Sequence, residues 1–89
     1  MDFEWDEQKA ARNLKIHGVS FETAKEVFQD PYAITVTDEA HSWDEEREFT
    51  LGLVQDELVV AVSHTDREGR IRIISARPAT ARERSTYEN

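Results

Sequence analysis

Four stretches of alternating polar and apolar residues fill most of the chain from residue 33 to residue 77, and they leave few ways to fold it. "AITVT" (33–37) has the period of a strand, and "REFTLGLV" (47–54) puts Phe49, Leu51 and Leu53 on one side. In "LVVAVSHT" (58–65), Leu58, Val60 and Val62 oppose Val59 and Ala61, the pattern of a strand covered on both faces. In "RIRIISAR" (70–77), Ile71 and Ile73 alternate with Arg70 and Arg72. The links between these runs are short and acidic or glycine-bearing, as in "TDREG" (65–69), which favours antiparallel hairpins over crossovers. On strict alternation, Arg77 shares a side with Ile71, Ile73 and Ser75, and Arg72 with Arg70 and Ile74. A twist or a bulge is then needed to bring Arg72 and Arg77 to one ligand.

The first third reads as helical. Phe3 and Trp5 alternate with acids in a short opening strand. Asp6 is placed as an N-cap, with Glu7 at the positive end of the helix dipole and Gly18 as a left-handed C-cap. Ala10 and Leu14 give this helix an apolar edge, while Lys9 and Arg12 give it a basic one. Ser20 caps a second helix whose Phe21, Ala24, Val27 and Phe28 form one stripe, ended by Asp30-Pro31. At the far end, Thr80 and Glu83 make a capping box for a last helix that has only Ala81 and Tyr87 to dock with. The expectation is a single α+β domain over residues 1–89, with two N-terminal helices packed on an antiparallel sheet and a short C-terminal helix.

Charge is unevenly spread. Residues 1–69 hold six Lys or Arg against seventeen Asp or Glu, a sum of -11, whereas residues 70–89 hold five arginines against two glutamates, a sum of +3. The net charge of -8 opposes nonspecific attraction to nucleic acid or anionic lipid and suits a basic protein partner. The absence of cysteine and of a basic, apolar N-terminal leader favours a cytoplasmic location, and no apolar run is long enough to span a membrane.

Arginine's rigid fork suits phosphate or carboxylate, so Arg77, Arg72, Arg84 and Arg82 are candidates for either. Arg70, Arg72 and Arg82 also read as solvated charges paired with the abundant acids, while Arg77, ending an apolar stripe before a proline, calls for a specific counter-charge. His41 lies among six carboxylates (Asp38, Glu39, Asp44, Glu45, Glu46 and Glu48), a setting for a general acid or a solvated loop. His17 near a helix end either satisfies that end or faces a ligand. No histidine spacing, phosphate loop or nucleophile elbow suggests a metal, cofactor or protein nucleophile. Glu46 and Arg47 pair with each other or meet a ribose-phosphate.

Several segments together resemble the BrnT toxins, also called DUF497: "FEWDEQKAARNLKIHGVSFETAKEVFQDP", "HSWDEEREFTLG" and "RIRIISARPATARERSTYE", in that order over almost the whole chain. The shared pattern falls on Trp5, Lys9, Asn13, His17, Gly18, Phe21, Asp30 and Pro31. It continues on His41, Glu46, Arg47, Gly52, Arg72, Ser75, Ala76, Arg77, Glu83 and Tyr87. The resemblance implies a RelE-like fold and a ribosome-independent ribonuclease toxin of a type II toxin–antitoxin module. It implies a partner as well, a BrnA-like ribbon-helix-helix antitoxin in a hetero-oligomer that reaches operator DNA through the antitoxin. One departure is the last helix, where Ser85 and Thr86 stand at positions that tend to be basic in the family.

On that basis the chemistry expected is metal-independent, cofactor-free RNA cleavage by the substrate's own 2′-hydroxyl. Arg77 and Arg72 would neutralise the phosphoryl oxygens. His41 or Glu46 would act as base and His17 or Tyr87 as acid, with Arg84, Arg47, Arg82 and Lys9 holding flanking phosphates. The competing reading is a non-catalytic interaction module that binds a basic DNA-binding partner. Direct DNA reading by this chain alone is disfavoured by its charge and by the lack of a basic recognition helix. The antitoxin is expected to lie at or beside the arginine-bearing end, residues 70–89.

Overall fold

The computed structural model describes residues 1–41 and 46–89. In chain order it has β1 (Asp2–Glu4), α1 (Glu7–His17), α2 (Phe21–Ala24) continued by a 3₁₀ helix (Lys25–Gln29), β2 (Ile34–Thr37), a 3₁₀ turn (Glu39–His41), β3 (Arg47–Val54), β4 (Leu58–Arg67), β5 (Arg70–Pro78) and α3 (Ala81–Glu88). The strands form one sheet in the order β1-β5-β4-β3-β2. All neighbours run antiparallel except β1, which lies parallel to β5 with Phe3 opposite Ile71, a pairing that the expectation of a purely antiparallel sheet did not include. No helix among the described residues is long and apolar enough to cross a membrane.

Local signals account for most boundaries. The Asp6 carboxylate accepts from the backbone N–H groups of Gln8 and Lys9, and Gly18 closes α1 in the left-handed region at φ 74°. The Ser20 hydroxyl accepts from Thr23 N–H to start α2. Glu68 and Gly69, with φ of 54° and 82°, make the tight loop between β4 and β5, where Arg67 pairs with Arg70.

One face of the sheet carries α1, α2 and the 3₁₀ helix. Phe21, Ala24 and Val27 meet Val54, Val60, Val62, Ile73 and Ala76 there, flanked by Phe3, Trp5 and Phe28. Gly52 lets the 3₁₀ helix approach, because a Cβ at that position would sit 2.7 Å from Val27 Cβ. His64 is buried on this face, its Nε2 2.8 Å from Thr50 Oγ1, with Phe28 edge-on at 4.9 Å. Burial pushes the imidazole down to about 4.

The apolar edge expected of α1 is only half used. Ala10 packs on the core, but Leu14 is 49% exposed, and the one buried residue of the helix is Asn13. Its side-chain amide donates to Ala76 O at 2.7 Å and to Val19 O at 3.0 Å, and its oxygen accepts from Ala76 N–H at 3.1 Å. Since β1 pairs with β5 only as far as Arg72, this amide stands in for the missing strand beside Ala76. Asn13→Ala leaves buried backbone groups unpaired and should destabilise the fold by about 2–4 kcal/mol in urea titration, far beyond a surface change.

The His64 position generates a pH dependence. Its folded pKa lies below its ordinary value, so the unfolded chain binds the proton first. Stability from this group is complete above about pH 6.5 and is lost as pH falls through about 4. Denaturation midpoints should therefore drop across that window, and His64→Gln should flatten this part of the profile; an unchanged slope would place the titration elsewhere.

Candidate active site

The opposite face of the sheet is built by an irregularity in β5. Ser63 pairs with Ser75 but His64 pairs with Ile73, leaving Ile74 as an extra, bulged residue. Below the bulge the alternation is inverted, so Arg72 joins Ser75 and Arg77 on one face instead of opposing Arg77 as strict alternation predicts. The bulge lies at Ile74, four residues before Pro78, and does what period two alone does not. Three rows then cross this face: Arg47–Thr65–Arg72, Phe49–Ser63–Ser75, and Leu51–Ala61–Arg77.

A pocket of about 310 Å³ opens here, lined by Asp38, Arg47, Phe49, Ala61, Ser63, Ser75 and Arg77. Asp38 is fixed opposite Arg47 by its N–H donating to Arg47 O at 2.7 Å, one step past the last β2–β3 pair. Glu46 is exposed and immediately precedes β3, and its carbonyl accepts from the Thr65 hydroxyl at 2.7 Å. His41 ends the 3₁₀ turn that follows Asp38; its side chain and residues 42–45, including Asp44 and Glu45, lie outside the described residues.

Arg77 is held in a two-pronged pair with Glu83, at 2.7 and 3.0 Å. The Glu83 carboxylate keeps the guanidinium more firmly protonated against the opposing effect of partial burial. The Arg77 fork, helped by Thr80 N–H, pulls Glu83 down to about 2. Glu83 thus serves the capping box and orients Arg77 at once, while 41% of the Arg77 side chain stays exposed toward solvent. Arg72 shares a row with Arg47 but does not line the pocket; it is paired with Glu4 at 2.9 Å, with Arg70 joining at 3.4 Å.

The remaining sequence candidates lie apart from this pocket. His17 and Lys9 line a separate opening on the helical side, with Arg12, Asn13, Ile16 and Ile74. Tyr87 turns its hydroxyl to Asp30, which also accepts from Leu53 N–H. That hydrogen bond, with burial added, pushes the phenol up to about 12. Burial alone would raise Asp30, but hydrogen bonds from Tyr87, Leu53 N–H and Tyr32 N–H outweigh it and hold the carboxyl below its usual range. Arg84 donates to Ala79 O at 3.2 Å, and Arg82 is exposed on α3. Helix α3 is therefore attached by polar ties to Arg77 and Asp30 plus the Tyr87 ring against Leu51, Val59 and Ala61, rather than by Ala81, which is exposed. Among the described residues, no three His, Asp or Glu side chains come together as metal ligands do.

Sequence reasoning did not single out Ser63, Ser75, Asp38 or Glu83 for the site. The capping-box spacing named Glu83, but nothing in the letters tied it to an arginine six positions earlier. Because Glu83 is depressed by Arg77, its contribution to holding α3 is complete above about pH 4.5 and lost as pH falls through about 2. Glu83→Gln should loosen α3 at neutral pH, seen as faster amide exchange over residues 81–88 with β3–β5 protection retained. Equal exchange in variant and parent would remove Glu83 as the tie.

A family model described as the ribonuclease toxin, BrnT, of type II toxin–antitoxin systems matches residues 5–83. The fold is similar to the 1.1 Å crystal structure of the Brucella abortus ribonuclease toxin, BrnT, with a TM-score of 0.73 and 26% sequence identity, over 90% of this chain and 97% of that one. No curated protein matches the chain. Three helices on a five-stranded, largely antiparallel sheet make the RelE-like architecture that the sequence resemblance implies.

Proposed function

The chain belongs to the BrnT family of ribonuclease toxins of type II toxin–antitoxin systems, and from that membership we propose that it cleaves RNA in the pocket between Arg47 and Arg77. The observation that carries this reading is the convergence on one face of two arginines, two serine hydroxyls and a carboxylate around a cleft of about 310 Å³.

The substrate brings its own nucleophile. The ribose 2′-hydroxyl attacks the adjacent phosphorus, its proton passes to a carboxylate, and the bond to the 5′-oxygen breaks. The products are a 2′,3′-cyclic phosphate and a free 5′-hydroxyl, the latter taking a proton from an acid. Arg47 and Arg77 meet the charge that builds on the non-bridging oxygens. Ser63 and Ser75 donate to the phosphate or ribose from the sheet floor. Asp38, in the pocket wall, or Glu46, beside Arg47, accepts the 2′-hydroxyl proton, and His41 supplies the acid. Tyr87, committed to Asp30, and His17, on the helical side, are not needed by this arrangement. No metal enters these steps. A basic antitoxin binding the acidic chain would neutralise it and carry the pair to operator DNA.

The purified protein should cut single-stranded RNA in EDTA and leave cyclic phosphate ends, and a 2′-deoxy residue at the cut site should block the reaction. Arg77→Lys, which keeps a charge for Glu83, should lower kcat by about a hundredfold, in line with the loss of one well-placed donor to a developing oxyanion. Asp38→Asn and Glu46→Gln separate the two bases, since only loss of the true one should abolish cleavage while RNA binding is retained. Full activity in Arg77→Lys would take Arg77 out of the mechanism.

A second reading is favoured by one observation: Arg72 and Arg77 are each already paired with a carboxylate of their own chain. A non-catalytic module that uses this face to bind a protein partner would look the same. Tight partner binding with no cleavage of any RNA would decide for it.

A further inference from the structure

A second opening on the molecule has a different chemistry. Between α1 and the start of α2 lies a groove of about 250 Å³ whose apolar walls are Trp5, Ala10, Leu14 and the buried ring of Phe21. Among the described residues, Glu7 and Glu22 are the charged ones lining it, and the exposed Glu22 carboxylate shares a surface ion pair with Lys25 at 2.7 Å. Leu14 is 49% exposed although it sits at helical spacing from Ala10, so this end of the α1 apolar edge is only half covered by the rest of the fold. Trp5 is fixed by its edge contact with Phe21 at 5.9 Å and by Lys25 over its ring, which makes this a preformed wall rather than a loose side chain. The open face of the sheet, by contrast, already carries α3 over Leu51, Val59 and Ala61.

We propose that this groove docks a basic amphipathic helix of a protein partner, with an apolar side chain between Trp5 and Leu14, a Lys or Arg on Glu7, and a second cation sharing Glu22 with Lys25. Charge complementarity selects this occupant. A second copy of the chain would bring another net charge of -8 and the same two glutamates, and an anionic lipid surface would meet the same repulsion. RNA would meet Glu7 and the same net charge of -8. A helix whose apolar stripe is flanked by cations satisfies both the groove floor and its edge, the helix-in-groove mode of recognition. The groove shares no residue with the Arg47–Arg77 pocket, so the inference stands whether or not the chain cleaves RNA.

The test is an amide and methyl NMR titration of the full chain with designed helical peptides. The first has leucines at helical spacing flanked by lysines; the second replaces the leucines by serine at equal charge; the third replaces the lysines by glutamate. Shifts from the first should centre on Trp5, Ala10, Leu14 and Phe21, and the other two peptides should leave these signals unmoved. Leu14→Asn, a change at a half-exposed site that leaves charge unaltered, should weaken the first peptide at least about tenfold. Glu7→Gln should weaken it and reduce its salt dependence. Shifts that map to the Arg77 pocket or scatter over the acidic surface would overturn the proposal. So would equal binding of the serine peptide, or an affinity indifferent to Leu14→Asn.

Discussion

The amide of Asn13 is the contact on which the arrangement of β5 depends. It bonds both backbone groups of Ala76, sixty-three residues away in the chain, and also holds Val19 O at the turn between the first two helices. A sheet edge beside an apolar core exposes N–H and C=O groups that nothing apolar can satisfy. β1 is too short to cover them, because its last partner is Arg72. One side chain therefore fixes α1 to the sheet and closes the edge just after the bulge at Ile74. Without it, both the position of α1 and the local path of β5 would lose their anchor.

That path decides what the other face presents. Strand alternation is a rule of two, and one extra residue reverses it for everything beyond. The reversal sets Arg72 in the same row as Arg47 and Thr65 and leaves Arg77 beside Ala61. Letters alone gave Arg72 to the opposite side, since "RIRIISAR" contains neither glycine nor any other mark of a bulge. The cause is tertiary: Ile73 and Ala76 both belong in the helical core, opposite His64 and Val62, and they stand three positions apart where strict alternation allows two or four. The core takes both, and Ile74 is the residue left over.

What was legible in the sequence is what local chemistry determines. The caps at Asp6, Gly18, Ser20 and Thr80, the turn at Glu68-Gly69 and the strand periods all appear as their residues dictate. The parallel pairing of β1 was not legible, because a three-residue strand has no crossover signal of its own. Leu14 shares the apolar edge of Ala10 yet stays half exposed, because helical spacing reports which residues share a face, not whether that face meets anything. The docking of α3 was underrated for the converse reason: its tie is a polar pair and one tyrosine, and no measure of apolar periodicity registers an Arg77–Glu83 fork.

These ties also bear on how an acidic chain handles an anion. At physiological salt, fields fade within about 8 Å, so the net charge of -8 slows capture from afar while the local arrangement governs binding once RNA is in contact. On this face of the sheet that local arrangement includes two arginines of different standing. Arg77, in the pocket lining, is oriented by Glu83, which lowers its entropy cost of binding but shares its charge; Arg72, two rows away and outside that lining, is shared with Glu4 in the same way. Each carboxylate makes the site more rigid and less indiscriminately sticky. A phosphate must then meet the exposed side of a fork already in place, and binding relies on geometry more than on attraction at a distance. The acids that oppose RNA elsewhere on the surface are of the sign that suits a basic protein partner, so one charge distribution is compatible with both a restrained site and a basic surface against it.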